Sequence, residues 1–333
     1  MHKSYIFMQA SLKMNAVLNC YETEIARGRD VSIVLPYCMR ETMFFFEKIH
    51  LNARVFVLEE LTGKHWLLYS FFYKRQIKKF LDQIGIDNNT HFFFTDVNDF
   101  RVGFLLPFLK ECNPTQILVK QDLIAGPNYQ IEFKSKNIKR ILYTKLLSFF
   151  YNTHFFAANE YGGEFMWTDC KAYHLPVIDY SDTSIINKYK IKITDSSDGI
   201  IFYTSPYLSE LYSKEEFYKI NKDIIDILHQ KGYMVFVKNH PLSGGVGIID
   251  DLADEIIPSF IPGEYLDLSS FNFAIGFLST AIATAAEIIP SYSVLNVGRV
   301  KDTKLRDSYV EYLEDYNPNV IFLNSLEEIP SFV

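Results

Sequence analysis

Short apolar runs alternate with longer segments of mixed polarity along the whole chain. In the first half the runs are Lys3 to Met8, Val31 to Leu35, Arg54 to Leu58, His91 to Thr95, Gln116 to Val119 and His154 to Ala157. Each is too short for a helix and rich in β-branched or aromatic residues, so each is expected to be a strand. The intervening segments are long enough for helices, and strands alternating with helices predict an α/β fold. A turn-rich, less apolar stretch from Asp179 to Asp198 reads as a linker. The alternation then resumes, with strands expected at Tyr233 to Val237, Asp254 to Ile257, Phe271 to Ile275, Ser293 to Val297 and Asn319 to Leu323. Two domains follow, residues 1–180 and 181–333. No internal repeat or low-complexity tract interrupts them.

Composition agrees with two cores. A chain of 333 residues exceeds the usual size of one core, and 48% hydrophobic residues with 29 Phe supply ample apolar volume. No stretch approaches the roughly 18 uninterrupted apolar residues of a membrane span. The N-terminal Met1 to Phe7 lacks the long apolar core of a signal peptide, and Gln9, Ser11 and Lys13 follow at once. The protein is therefore expected to be cytoplasmic. Cys20, Cys38, Cys112 and Cys170 are scattered, with no Cys-x-x-Cys pair, which indicates neither a zinc site nor a disulfide framework.

Charge is shared unevenly. Residues 1–180 hold 21 Lys/Arg and 18 Asp/Glu, and residues 181–333 hold 12 and 22, which together make the net charge of −7. An acidic chain argues against a nucleic-acid partner. One segment runs the other way. Lys134, Lys136, Lys139, Arg140 and Lys145 lie in a stretch without acids, interleaved with Ile138, Ile141, Leu142, Leu146, Phe149 and Phe150. Residues 134–150 could form a peripheral membrane contact or hold an anionic acceptor, and an ordinary helix with one solvated face is the favoured alternative.

The candidate chemistry gathers in the second half, at the ends of three expected strands. After Tyr233 to Val237 comes Lys238-Asn239-His240-Pro241. After Asp254 to Ile257 comes Pro262-Gly263-Glu264. After Phe271 to Ile275 comes Gly276-Phe277-Leu278-Ser279-Thr280. In an open α/β sheet the strand ends are where ligands sit, and a cation, a carboxylate and a hydroxyl pair at such ends suggest a nucleotide site. Ser279 and Thr280 precede an Ala-rich run, Ala281 to Glu287, that should be helical, so their hydroxyls and the helix's first N–H groups converge where an anion is favoured. Gly276 is expected to let the backbone turn there without a clash. Lys238 adds a positive charge beside His240, which Pro241 tends to hold extended. Glu264 can accept two hydrogen bonds from a vicinal diol such as a ribose. Taken singly, a His-Pro pair is usually a loop and a Ser-Thr pair usually an N-cap.

The order and spacing of these pieces resemble the bacterial sialyltransferases of the GT-B fold, including the polysialyltransferase group. The histidine-proline pair with a lysine two residues earlier, the Pro-x-Glu carboxylate and the Gly-x-x-Ser-Thr before a helix carry the likeness. Ile200 to Pro206 resembles the first strand of their nucleotide-binding domain, and Ser213-Lys214-Glu215-Glu216 has the capping-box form that opens the next helix. The likeness spans residues 200–298. It implies two Rossmann-like domains facing a central cleft, with a CMP-sugar donor held by the C-terminal domain and a glycan or glycolipid acceptor by the N-terminal one. By the same resemblance His240, Ser279 and Thr280 would bind the phosphate of CMP, Glu264 the ribose hydroxyls and Lys238 the nucleotide more loosely. The family's acidic motif, whose carboxylate is the catalytic base, is matched only in part by Lys120-Gln121-Asp122-Leu123-Ile124-Ala125-Gly126. Asp122 is the candidate base and Glu164, in Tyr161-Gly162-Gly163-Glu164, the reserve.

No Asp-x-Asp occurs and the histidines show no ligand spacing, so no metal and no cofactor is expected. Two alternatives stand beside a metal-independent, inverting sialyltransferase. One is another GT-B enzyme, such as a Kdo or CDP-polyol-phosphate transferase or a UDP-sugar epimerase. The other is a non-catalytic glycan- or lipid-binding protein of envelope assembly.

Overall fold

A computed structural model describes residues 2–8, 14–58, 75, 78–95, 115–120, 177–180, 182–194, 198–240 and 247–331. The chain divides into two compact units, Met1–Ile185 and Ile186–Val333. Each is built on a six-stranded, all-parallel sheet.

The first sheet comprises β1 (Lys3–Phe7), β2 (Asp30–Pro36), β3 (Arg54–Leu58), β4 (His91–Phe94), β5 (Thr115–Lys120) and β6 (Val177–Asp179), in the order β3-β2-β1-β4-β5-β6. Helix α1 (Met14–Ala26) packs on β1 and β2, and α2 (Thr42–Lys48) follows β2. The strands are near-continuous apolar runs because parallel strands are covered on both faces. The Tyr5 and Phe92 rings stack with centroids 5.4 Å apart, and Phe7 meets Phe94 at 5.3 Å. At the opposite, N-terminal edge, buried Glu24 accepts hydrogen bonds from Ser4 Oγ at 2.6 Å and Arg27 Nη1 at 2.7 Å, with Arg29 Nε at 3.2 Å. A carboxylate this deeply buried is tolerated because it is bonded several times over.

The second sheet comprises β7 (Gly199–Tyr203), β8 (Met234–Lys238), β9 (Glu255–Ile257), β10 (Phe271–Gly276), β11 (Ser291–Ser293) and β12 (Val320–Phe322). Its order is β9-β8-β7-β10-β11-β12. Counted in chain order within each unit, both sheets therefore run 3-2-1-4-5-6, the doubly wound arrangement. The helices of this unit are α3 (Ile185–Lys188), which begins at the boundary, α4 (Lys214–Gln230), α5 (Gly247–Leu252), α6 (Thr280–Ala285) and α7 (Thr303–Tyr316). Ser213 caps α4 by accepting the Glu216 N–H at 3.1 Å. The Glu216 carboxylate does not close the capping box but accepts the Arg299 N–H at 2.9 Å, tying α4 to the segment after β11.

Two expectations differ from the structure. The strand expected at Ser293 to Val297 lies earlier, at Ser291–Ser293. The apolar residues Val294 and Leu295 are fully buried, but in the loop that leaves the strand. The stretch read as a linker from Asp179 is structured in part. Ile191 donates its N–H to Tyr265 O and accepts that of Asp267, both at 2.8 Å, and so pins the chain to the second unit. The expected strand at His154 to Ala157 lies outside the described residues.

Candidate functional site

The strand order of the second sheet reverses between β7 and β10, and a crevice opens at the C-terminal ends of the strands at such a point. Three residues stand level across it. Tyr203, the last residue of β7, is in register with Lys238, the last of β8, on one side and with Gly276, the last of β10, on the other. The ends of β8 and β10, two of the three singled out in the sequence, thus flank β7, and the third, Ile257 of β9, is level with Lys238 on its far side.

Two consecutive hydroxyls after β7 lace the neighbouring loops together. Thr204 Oγ1 accepts the backbone N–H of His240 at 3.0 Å and donates to Asn239 Oδ1 at 3.2 Å. Asn239 in turn donates to Asp250 of α5 at 2.8 Å. Ser205 Oγ donates to Leu278 O at 3.0 Å and lies 3.2 Å from the Leu278 N–H. The loop carrying His240 and the loop carrying Ser279 are both anchored on β7. All these groups are buried or half-buried, and their pairing rigidifies the edge.

Lys238 is 4% exposed, and its ammonium donates to Asn239 O at 3.0 Å and Ser259 O at 3.3 Å. Burial pushes its pKa down to about 8, against the pull of the Glu264 carboxylate. Glu264 sits in a single 3-10 turn, Gly263–Tyr265. Burial raises its carboxyl above the usual range, while its own backbone N–H and Lys238 work to lower it. His240 is half-buried, and burial together with the Lys238 charge depresses its pKa, so the ring is neutral at pH 7.

The glycines explain how closely the pieces approach. A Cβ at Gly276 would meet Tyr203 O at 2.5 Å and Ile282 Cδ1 at 2.8 Å. Gly276 has no left-handed φ; it is needed for close packing of β10 against β7 and α6, and not for the turn expected from the sequence. Gly263 is wedged the same way, with Ala281 Cβ at 3.0 Å and Tyr203 Cε1 at 3.2 Å from a built Cβ, which seats the Glu264 turn on α6. Ser279 is the N-cap of α6, accepting the Ala281 N–H at 3.2 Å, and Thr280 is the helix's first residue. The hydroxyl proton of the capping serine is still available to donate.

The described edge therefore brings Lys238, His240, Glu264, Gly276, Ser279 and Thr280 together. It offers a neutral imidazole, hydroxyls and a helix start for an anion, and a carboxylate for hydroxyl groups. Asp122, Glu164, Pro241 and the basic segment 134–150 lie outside the described residues. Among the described residues no three His, Cys, Asp or Glu side chains gather in a metal-holding group, and no helix is long and apolar enough to cross a membrane. A separate 540 Å³ depression lined by Asn296, Arg306, Asp307, Glu311, Glu314 and Asn324 contains none of the six residues. Sequence reasoning missed Tyr203, Thr204 and Ser205. A hydroxyl at each of three successive positions, the last of β7 and the two after it, is no more than an ordinary strand end shows.

Known structures share this architecture. The chain is similar to a sialyltransferase from Photobacterium damsela at 13% identity, with a TM-score of 0.52 over 97% of this chain and 81% of that one. It is also similar to the UDP-GlcNAc 2-epimerase from Methanocaldococcus jannaschii at 11% identity, with a TM-score of 0.48 over 94% and 92%. At 13% identity the likeness to the sialyltransferase shows the fold alone, that of the GT-B glycosyltransferases. No curated protein matches the chain in sequence. The profile of one family matches residues 2–297, nearly the whole chain, and on that ground the chain belongs to the alpha-2,8-polysialyltransferase (POLYST) family of glycosyltransferases.

Proposed function

We propose that this chain is an inverting, metal-independent sialyltransferase that moves sialic acid, or a related nonulosonic acid, from its CMP donor to a cell-surface glycan or glycolipid. Family membership supports the sialyltransferase type. The observation that carries the donor side is the meeting of His240, Glu264 and Ser279 at the switch point of the second sheet, with two of their loops laced to Thr204 and Ser205.

The roles follow from the chemistry of each group. Ser279, Thr280 and the start of α6 stabilise the charge of the departing phosphate. His240 donates a hydrogen bond to that phosphate; its depressed pKa means that the neutral ring makes this contact until the phosphate's own charge favours a proton there. Glu264 accepts the ribose hydroxyls, and the Lys238 charge offsets part of the burial that raises its carboxyl. The sugar parts from CMP through an oxocarbenium-like state, and Asp122 removes the proton of the acceptor hydroxyl. A single leaving phosphate carries a charge that hydroxyls, imidazole and backbone N–H groups can neutralise, so no metal ion enters the scheme. The reading puts synthesis in the cytoplasm, and the basic segment 134–150 is a candidate for peripheral contact with anionic lipid on the inner face of the membrane.

A donor-hydrolysis screen with CMP-, CDP- and UDP-activated sugars in EDTA tests this reading. Turnover is expected with CMP-sialic acid alone, and His240→Ala should lower it by about two to four powers of ten. Preference for a CDP or UDP donor, or turnover that appears only with Mg²⁺ or Mn²⁺, contradicts it.

A further inference from the structure

Three buried side-chain atoms among the described residues have no hydrogen-bond partner: Tyr203 Oη, Asn221 Oδ1 and Ser270 Oγ. Asn221 offers an acceptor within α4, and Ser270 precedes the first residue of β10, at the opposite end of the sheet. Tyr203 is different. It ends β7 at the switch point, level with Lys238 and Gly276, and is only 2% exposed. The far end of its ring lies against the Gly263–Glu264 turn. A Cβ at Gly263 would stand 3.2 Å from Tyr203 Cε1 and 3.9 Å from Cζ, the carbon that bears the hydroxyl.

A dry, unpaired hydroxyl destabilises a fold, and phenylalanine would fill the same space without that penalty. The group beside it that needs a donor is Glu264. Its carboxylate bonds its own backbone N–H and, with two oxygens, has acceptor sites left for a diol and for a further donor. The two side chains already feel one another, since the Glu264 charge adds to burial in holding the Tyr203 proton on.

We propose that Tyr203 is a positioning residue for Glu264: when the carboxylate accepts both hydroxyls of a ribose, the Tyr203 hydroxyl donates to it and fixes its orientation. Discrimination between a ribonucleotide and its 2′-deoxy counterpart then depends on Tyr203, although the tyrosine does not itself touch the ligand. The inference rests on the assignment of Glu264 to the ribose. It adds a second residue, in a different element, to the part of the site that reads the sugar of the nucleotide.

The experiment compares wild type with Tyr203→Phe by calorimetric titration with CMP and with 2′-deoxy-CMP, and by thermal unfolding without ligand. In the variant the unliganded Tm should be unchanged or higher, because an unsatisfied hydroxyl has been removed. Affinity for CMP should fall about tenfold, as for the loss of a hydrogen bond to a charged group, while affinity for 2′-deoxy-CMP stays nearly constant. Equal binding of CMP by variant and wild type overturns the inference. So does an equal loss for both nucleotides, or a lower Tm, because either result makes the hydroxyl merely structural. A wild-type protein that binds CMP without preferring it to 2′-deoxy-CMP sinks the diol assignment of Glu264 and this inference with it, and one that binds neither nucleotide sinks the donor reading as a whole.

Discussion

The Thr204 hydroxyl accepts the backbone N–H of His240 at 3.0 Å, which fixes the histidine loop to the end of the strand at the sheet's switch point. The same oxygen donates to Asn239, so one threonine holds two consecutive residues of the loop. Thr204→Val keeps the shape and removes both bonds. Stability should fall by roughly 1–3 kcal/mol, and CMP affinity should fall with it as the imidazole loses its fixed place. Urea denaturation alongside calorimetry checks this. Full CMP affinity in the variant means that the loop is held by other contacts.

Gly276 provides a sharper steric test. An added Cβ lies 2.5 Å from the Tyr203 carbonyl oxygen, a backbone atom that cannot rotate away, and 2.8 Å from Ile282 Cδ1. Gly276→Ala should therefore cost about 1–3 kcal/mol or more and shift the start of α6, weakening CMP binding. Gly247→Ala is the control. It opens α5 with no described residue within 4 Å of the new methyl group, and it should be neutral or stabilising by a few tenths to about 1 kcal/mol. Equal Tm values for the two variants would refute the close-packing account.

The strands most plainly legible in the sequence were the central ones, while the edge strands β3 and β9 were found although they are half exposed. β7 and β8 are short apolar runs because helices and loops bury both sides of the sheet, and nothing but a strand fits such a run. β11 was misplaced for the same reason. Its residues Ser291, Tyr292 and Ser293 look like a turn, whereas the apolar segment after it is loop that packs inward. The three ligand-bearing strand ends were legible from their motifs. Tyr203, Thr204 and Ser205 were not, because their importance comes from β10 pairing with β7. That pairing spans about seventy residues of chain and leaves no local mark.

Buried Lys238 makes stability depend on alkaline pH. Its pKa is about 8 in the folded protein and 10.5 in its ordinary state, so between those values the unfolded chain holds a proton that the folded one has released. Stability rises with pH wherever the unfolded state binds more protons. The cost of burying the charge is therefore fully present below pH 8 and is relieved as pH climbs toward 10.5. Lys238→Met should be more stable than wild type at pH 7 by up to roughly 3 kcal/mol, less whatever Glu264 loses with its counter-charge, and the gap should narrow between pH 8 and 10. Urea denaturation of both proteins across that range measures it. A gap that widens with pH would show that the ammonium is stabilised where it lies.

The proposed base can be separated from the donor site because the two belong to different units: Asp122 to Met1–Ile185, and His240 and Glu264 to Ile186–Val333. Asp122→Asn keeps the size of the side chain but cannot take a proton. If Asp122 is the base, CMP affinity should be unchanged while transfer to the acceptor falls by about two to four powers of ten. A parallel Glu164→Gln variant decides between the two acids. Loss of transfer in Glu164→Gln with normal transfer in Asp122→Asn moves the base to the Gly162-Gly163-Glu164 turn. Normal transfer in both variants removes a carboxylate base of either position from the mechanism, and leaves the phosphate-side contacts of His240, Ser279 and Thr280 to account for the rate.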